Sequence, residues 1–132
     1  MADYQLTADL TDQEWRIENK AREYSFICDD ETTAPNPVEY FAGAIDSCIT
    51  MSAGMVAKSH GLDVRNFHLD TKGQTKDLGH GLSKVVKMKI KVSFDSQMSP
   101  ADQQEFLDHV LHVSTVYQTV KDALPIEVAL AQ

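Results

Sequence analysis

The sequence predicts an α+β fold with the element order β-β-β-α-β-β-α-α-β, in one domain spanning residues 1–132 with mostly antiparallel strand pairing. Two observations support this fold class. Apolar and polar side chains alternate with period two in the first 30 residues and again around residue 90, as is typical of half-buried strands. One long apolar segment with helix caps separates these two regions, and shorter helix signals follow near the C-terminus.

Three N-terminal strands are expected at residues 4–10, 14–19 and 23–28, where apolar side chains recur at every second position. Trp15 and Ile17, for example, are separated and flanked by charged residues. This pattern puts the apolar side chains on one face and indicates a meander with its other face in solvent. The polar stretch DDETTAPNP that follows predicts a loop.

A long helix is predicted between Asn36 and Gly61. Asn36 can be the N-cap, Pro37 stands at the first helical position, and Glu39 is placed for a reciprocal capping box. Gly61 is a natural left-handed stop. Because the segment is apolar on nearly every side, it should be a central helix covered by a sheet and by a partner chain. Polar residues at its middle argue against a membrane span, namely Asp46, Ser47, Thr50 and Ser52.

The second half of the chain predicts two strands, two helices and a last strand. They are expected at residues 64–71 and 84–94, from Ser99 to about His112, from Thr115 to Ala123, and at residues 125–130. A glycine-rich turn region is expected at residues 72–81. Ser99 should cap the first of these helices; Ser114 or Thr115 should cap the second, with Gln118 at N3 of Thr115.

The strand at residues 84–94 carries lysines on one face and apolar residues on the other. The lysines are Lys84, Lys87, Lys89 and Lys91. Two interpretations stay open for this lysine stripe. It can be the solvated face of an amphipathic strand, or a landing site for an anionic ligand such as a carboxylate or a fatty-acid hydroperoxide.

The overall charge and the cysteine content exclude several function classes. A formal net charge of −8 disfavours nucleic acid and anionic lipid as partners, since both bind clustered lysine and arginine. The N-terminus has no export signal, and two cysteines without a CxxC motif or zinc-type spacing indicate a reducing compartment. We therefore expect a cytoplasmic protein without structural disulfide, metal or cofactor.

Cys48, near the middle of the predicted central helix, has two interpretations. A cysteine in an apolar helix can simply be a small buried hydrophobe. Alternatively it can act as a thiolate, which requires a nearby cation or hydrogen-bond donor. The helix N-terminus is three turns away, so activation would have to come from a tertiary partner, for which Arg16 and Arg22 are candidates.

Other residues could carry chemistry, although each has a simpler structural role. Cys28 ends the third strand and could resolve an oxidised Cys48, but the two aspartates that follow it oppose its ionisation, so this pairing is not favoured. His109 and His112 are spaced to clamp a metal ion on one helix side, yet no third ligand can be identified. They more simply complement the helix dipole.

The run NPVEYFAGA from Asn36, together with the cysteine at position 48, resembles the signature of the OsmC/Ohr family, whose Asn-Pro helix leads to a peroxidatic cysteine. The spacing from Asn-Pro to Cys48 matches without a gap. The segments AKSHGLDVRNFHLDTKG and STVYQTVKDALPIEV are similar to later parts of the family, so the resemblance covers about residues 36–130.

The resemblance implies an OsmC-like fold, with antiparallel sheets around a long central helix. It implies an intertwined homodimer with active sites at the dimer interface. The implied chemistry is thiol-based reduction of hydroperoxides, an antioxidant function in the oxidative-stress response, with Cys48 as the peroxidatic residue and an external thiol as reductant. Glu39 is the acidic residue of the OsmC branch at the start of the helix, and it joins Cys48 as a candidate catalytic residue.

Two positions depart from the family pattern. Ser114, followed by Thr115, stands where the family has its second cysteine and a proline, and Val38 stands where many members have a glutamate that orients an activating arginine. Three functions therefore remain as hypotheses: a one-cysteine hydroperoxide reductase, a non-catalytic dimer that binds a small hydrophobic ligand, and a redox-sensing protein. The first is preferred.

Overall fold

The structure, a computed structural model, describes residues 1–131 and has the predicted order of elements. Within this range there are two three-stranded sheets and three helices. The described residues form two compact units, one of Met1–Phe41 and one that begins at Ala42. The predicted α+β class is confirmed, whereas the prediction of a single domain stays a prediction.

The first unit contains an antiparallel meander of strands β1 (Thr7–Leu10), β2 (Ile17–Ala21) and β3 (Tyr24–Cys28), in the order β1-β2-β3. Strand β2 begins three residues later than predicted. The reason is a turn, in which Trp15 has a φ of 61° and the Arg16 N–H donates to the Gln13 carbonyl at 3.1 Å. The pairing of β2 with β3 then ends at Cys28, opposite Ile17.

Helix α1 (Pro37–His60) has both predicted caps. The Glu39 N–H donates to Asn36 Oδ1 at 2.8 Å, and the Asn36 N–H donates to Glu39 Oε1 at 2.9 Å, which makes the reciprocal capping box. At the other end, Gly61 has a φ of 61° and the Leu62 N–H donates to the Ala57 carbonyl at 2.9 Å. This is a Schellman termination, and it requires the left-handed conformation that glycine adopts without cost.

The second sheet has the order β4-β5-β6, with β4 (Arg65–Gly79) and β5 (Leu82–Asp95) antiparallel, and β6 (Ile126–Leu130) parallel to β5. The predicted turn region at residues 72–81 is wrong, because most of it is the outer half of β4. Only His80 and Gly81 connect the two long strands, and both have a positive φ. The outer half of β4 is exposed on both faces, so no apolar alternation marked it as a strand.

The core of the second unit lies between α1, β5 and helix α2 (Pro100–Val113). Its buried side chains are Ile45, Ile49, Ala53 and Val56 from α1, Met88, Ile90 and Val92 from β5, and Phe106, Leu107 and Val110 from α2. Helix α2 begins as predicted, since Ser99 Oγ accepts from the Asp102 N–H at 3.1 Å. Helix α3 (Thr115–Val120) follows after the single residue Ser114.

One side of α1 carries large apolar residues that are not covered within the chain. Met51 and Met55 are 69% and 66% exposed. By length and composition α1 could cross a membrane, although the core helix of a soluble protein passes the same criterion. The predicted partner chain against this side of α1 stays a prediction.

Candidate functional site

Cys48 lies in the second unit, half-buried on α1, and contacts the beginning of α3. Its Sγ accepts a hydrogen bond from the Val116 backbone N–H at an N···S distance of 3.4 Å. Val116 is the second residue of α3, and the first four amides of a helix have no acceptor within the helix itself. The fold therefore directs an otherwise free backbone donor at the sulfur of Cys48.

An open groove of about 500 Å³ borders Cys48. Its lining is mainly apolar near the thiol, with Met51, Met55 and Val113, and it includes His60 and His109 at a distance from it. Because Cys48 and His60 are twelve residues apart on α1, the groove follows that helix for about 18 Å. A small apolar molecule placed in the groove would therefore lie beside the sulfur.

Ser114, at the position where the resemblance places a second cysteine, is fully buried between α2 and α3. Its Oγ donates to the Val110 carbonyl at 2.7 Å, while its N–H donates to the Leu111 carbonyl at 3.3 Å. Ser114 is the N-cap residue of α3, as one of the two predicted alternatives has it, but its side chain makes no capping hydrogen bond and Gln118 is not at N3. The Ser114 hydroxyl is used by the last turn of α2 instead, and Gln118 Nε2 donates to the Leu111 carbonyl at 2.9 Å.

Glu39, the second predicted catalytic residue, lies in the first unit at the start of α1. It is exposed, and its carboxylate accepts from the Asn36 N–H in the capping box. This contact gives Glu39 a structural role that is independent of any chemistry. Its catalytic role stays a prediction, and Val38 beside it carries no charge.

Both candidate arginines have partners within the first unit. Arg16 Nη1 lies 3.8 Å from Asp29 Oδ2 and also donates to Thr33 Oγ1. The Arg22 guanidinium lies 5.1 Å from the centroid of the Tyr24 ring, in a cation–π contact. Activation of Cys48 by either arginine therefore stays a prediction.

Cys28 is buried at the end of β3, and both cysteines of the chain are free thiols. Burial raises the pKa of the Cys28 thiol, and the neighbouring Asp29 charge raises it further. Since the thiolate is the reactive form, Cys28 is a poor nucleophile and a poor resolving residue.

The histidines form a pair that the sequence analysis missed. The rings of His60 and His109 meet edge to face, with centroids 5.3 Å apart, at the groove that also borders Cys48. They come from α1 and α2, so their separation in the sequence gave no signal for the contact. In residues 1–131, no cluster of three or more histidine, cysteine or acidic residues could hold a metal ion.

Asp46 is a second residue that the sequence analysis did not single out as structural. It is half-buried on α1, and Thr71 Oγ1 of β4 donates to its Oδ1 at 2.8 Å. Burial raises the pKa of Asp46, and the hydrogen bond from Thr71 offsets part of that rise. The contact anchors α1 to the second sheet two residues before Cys48.

The lysine stripe lies on the outer face of the second sheet, because Met88, Ile90 and Val92 fill the opposite face. Three of its lysines line a shallow groove of about 400 Å³ with residues of β4; the lining is Asp70, Lys72, Gln74, Lys87, Lys89 and Lys91. Glu127 Oε atoms of β6 lie 3.5 Å from Lys87 Nζ and 3.9 Å from Lys89 Nζ. The fourth lysine, Lys84, is paired in register with Lys76.

Comparison with known proteins gives one family and a consistent set of folds. The family model described as OsmC-like protein matches residues 28–129, most of the chain. The solved structure of an OsmC like protein from Mycoplasma pneumoniae has a TM-score of 0.87 at 17% identity, over 98% of this chain and 96% of that chain. No curated protein matches the sequence.

Two further solved structures carry names that refer to organic hydroperoxides. The organic hydroperoxide resistance protein OsmC from Legionella pneumophila has a TM-score of 0.78 at 9% identity, over 100% of this chain and 98% of that chain. The organic hydroperoxide resistance protein OhrB of Bacillus subtilis has a TM-score of 0.69 at 15% identity, over 98% of both chains. At such identities the likeness shows a shared fold.

Proposed function

This chain belongs to the OsmC-like protein family, as the sequence resemblance predicted, and we propose that it reduces organic hydroperoxides through Cys48 with an external thiol as reductant. The names of the Legionella pneumophila and Bacillus subtilis relatives support resistance to organic hydroperoxides as the biological context. In this proposal the protein acts in the oxidative-stress response, in the cytoplasm and without metal or cofactor.

One observation supports the proposal most directly, namely the environment of the Cys48 sulfur. The sulfur is half-buried beside an apolar groove, and the Val116 N–H points at it. An apolar groove suits the organic part of a hydroperoxide, while a backbone donor at the sulfur can bond to a charged sulfur or to an oxygen added to it.

The proposed reaction proceeds in three balanced steps. The Cys48 thiolate attacks the distal oxygen of the hydroperoxide, the O–O bond breaks, and the alkoxide leaves and takes up a proton. Cys48 is then a sulfenic acid, which condenses with one molecule of thiol to a mixed disulfide and releases water. A second thiol attacks the mixed disulfide, which restores Cys48 and releases the oxidised thiol. Ser114 has no sulfur, so no second cysteine at that position takes part.

The proposal includes a homodimer that completes the site. The exposed Met51 and Met55 give α1 an apolar side suited to a partner chain. We also propose that Glu39 contributes its carboxylate to the assembled site by orienting an arginine, either Arg16 or Arg22. Its capping role at Asn36 and this role are compatible, because one carboxylate has more than one acceptor position.

The test compares wild type and two variants in their consumption of cumene hydroperoxide with dithiothreitol as reductant. Wild type and Cys28→Ala should consume the hydroperoxide catalytically. Cys48→Ala should not, because it lacks the sulfur that is proposed to attack the peroxide. Cys28→Ala is the matched control, since it removes a thiol of the same chain that is buried and poorly reactive. Equal activity of Cys48→Ala and wild type would contradict the proposal.

A second candidate is a non-catalytic dimer that binds a small hydrophobic ligand. The apolar groove beside Cys48, together with serine at position 114, favours it. This function predicts saturable binding of an apolar fluorescent probe that is equal in wild type and Cys48→Ala, without peroxide consumption by either. A redox-sensing protein would instead oxidise at Cys48 and not be restored to turnover by thiol.

A further inference from the structure

The Val116 backbone N–H donates to the Cys48 sulfur at an N···S distance of 3.4 Å. Atoms about 3 to 3.5 Å apart are at the separation from which a bond can form without a large movement of the chain. The Val116 amide also has no acceptor within α3, because it belongs to the first turn. Its N–H, which points at the sulfur, can therefore lose its proton without breaking a hydrogen bond of the helix.

Resting on the proposed function, we propose that the Val116 backbone nitrogen takes the place of the missing resolving cysteine and closes a sulfenamide with oxidised Cys48. An organic hydroperoxide first converts the thiolate to sulfenic acid, as above. The Val116 nitrogen then attacks the sulfur, the S–O bond breaks, and the amide proton leaves with the hydroxide as water. The product is an S–N bond between residues 48 and 116, with the sulfur at the same oxidation level as in a disulfide.

External thiol reverses the cross-link. One thiol attacks the sulfur, the S–N bond breaks and the Val116 nitrogen takes back a proton, which leaves a mixed disulfide on Cys48. A second thiol releases Cys48 as the thiol and leaves as a disulfide. The number of thiols consumed per hydroperoxide is therefore two, the same as in the direct route.

The other candidate resolving groups of the chain, Ser114 and Cys28, do not offer this chemistry. The Ser114 hydroxyl is fully buried and donates to the Val110 carbonyl, and an alcohol cannot close a disulfide. Cys28 is buried, and burial together with the Asp29 charge raises its pKa. Without a resolving partner, excess peroxide carries a sulfenic acid to the irreversible sulfinic acid. The S–N bond blocks that step and keeps Cys48 recoverable.

The test is mass spectrometry of the full chain in the Cys28→Ala background, which excludes an intramolecular disulfide. After one equivalent of cumene hydroperoxide, an S–N bond lowers the intact mass by about 2 Da, whereas a sulfenic acid raises it by about 16 Da and a sulfinic acid by about 32 Da. We expect the loss of mass, a cross-linked peptide pair containing residues 48 and 116, and full reversal by dithiothreitol.

Two variants at position 116 separate the backbone nitrogen from the side chain. Val116→Ala keeps the amide N–H and should still cross-link. Val116→Pro removes it, at a first-turn position where proline is tolerated, and should show sulfenic and then sulfinic acid at Cys48. Thermal melting of both variants checks that they fold. If Val116→Pro does not fold, the protein that keeps Val116 provides the test: the cross-linked peptide supports the proposal if it is found and overturns it if it is not.

The outcomes distinguish this proposal from the proposed function. Turnover of peroxide through Cys48 with only sulfenic acid or mixed disulfide in the Val116 chain would overturn the sulfenamide and leave the reductase intact. A cross-link that persists in Val116→Pro would overturn it as well. No oxidation of Cys48 at all would overturn both.

Discussion

Ser114→Ala is the change that tests most sharply how the start of α3 is held beside Cys48. The Ser114 N–H donates to the Leu111 carbonyl at 3.3 Å and not to the Val110 carbonyl, which would be its usual helical acceptor. The Val110 carbonyl accepts from the Ser114 hydroxyl instead, at 2.7 Å. Ser114 is fully buried, and alanine would leave that carbonyl without this donor. A buried polar group that loses its partner costs about 1 to 3 kcal/mol, and we expect this loss in the free energy of unfolding.

The assay is urea denaturation at one fixed protein concentration, because the proposed homodimer would couple stability to concentration. Ser93→Ala on the exposed face of β5 is the control and should change the unfolding free energy by less than about 0.5 kcal/mol. A Ser114→Ala variant as stable as this control would contradict a stabilising role of the hydroxyl. It would mean that the Val110 carbonyl has another donor and that the hydroxyl does not hold the turn.

Three further predictions follow from the contacts in the two units. Phe106→Ala should lower the free energy of unfolding by about 3 to 5 kcal/mol in urea denaturation, because its ring is buried and lies 5.5 Å from that of Phe94; Phe106→Leu should cost much less. Glu39→Gln keeps the capping box, so its melting temperature should match wild type, while kcat/KM for cumene hydroperoxide should fall about tenfold or more if the charge acts in the site. An unchanged kcat/KM in Glu39→Gln would show that the charge of Glu39 does not act in the site. The hydrogen bonds from Thr33 lower the pKa of Asp29, so its contribution to stability should be complete above the unfolded-state pKa of about 4 and be lost as the pH falls through the lower folded-state pKa. The melting temperatures of wild type and Asp29→Asn should therefore converge in acid, and a constant difference down to pH 2 would contradict this.

Local signals in the sequence were enough for most of the fold. The capping box at Asn36 and the left-handed stop at Gly61 depend on residues within one or two turns, and both are present. The alternation around Met88 and Ile90 identified β5 because one face of the strand is buried. The outer half of β4 has no buried face, so its strand geometry is set by pairing with β5 and left no apolar period to detect.

The site was only partly predictable, for a physical reason. Cys48 was identified through its spacing from Asn36 and Pro37, which is a local feature. Its hydrogen bond to Val116 joins residues 68 positions apart and uses a backbone N–H, and every residue except proline carries one. No pattern of side chains in the sequence can predict such a contact. Ser114 was similarly interpreted as a cap for α3, because its sequence position does not tell which of the two adjoining helices uses the hydroxyl.

The most direct measurement of the central claim is the order in which the two thiols of wild type oxidise. One equivalent of cumene hydroperoxide is added, the remaining thiols are alkylated after increasing times, and each cysteine is quantified by mass spectrometry. We expect Cys48 to lose its free thiol rapidly and completely, while Cys28, which is buried and has a raised pKa, stays reduced. Equal slow oxidation of both thiols, or earlier oxidation of Cys28, would contradict Cys48 as the peroxidatic residue.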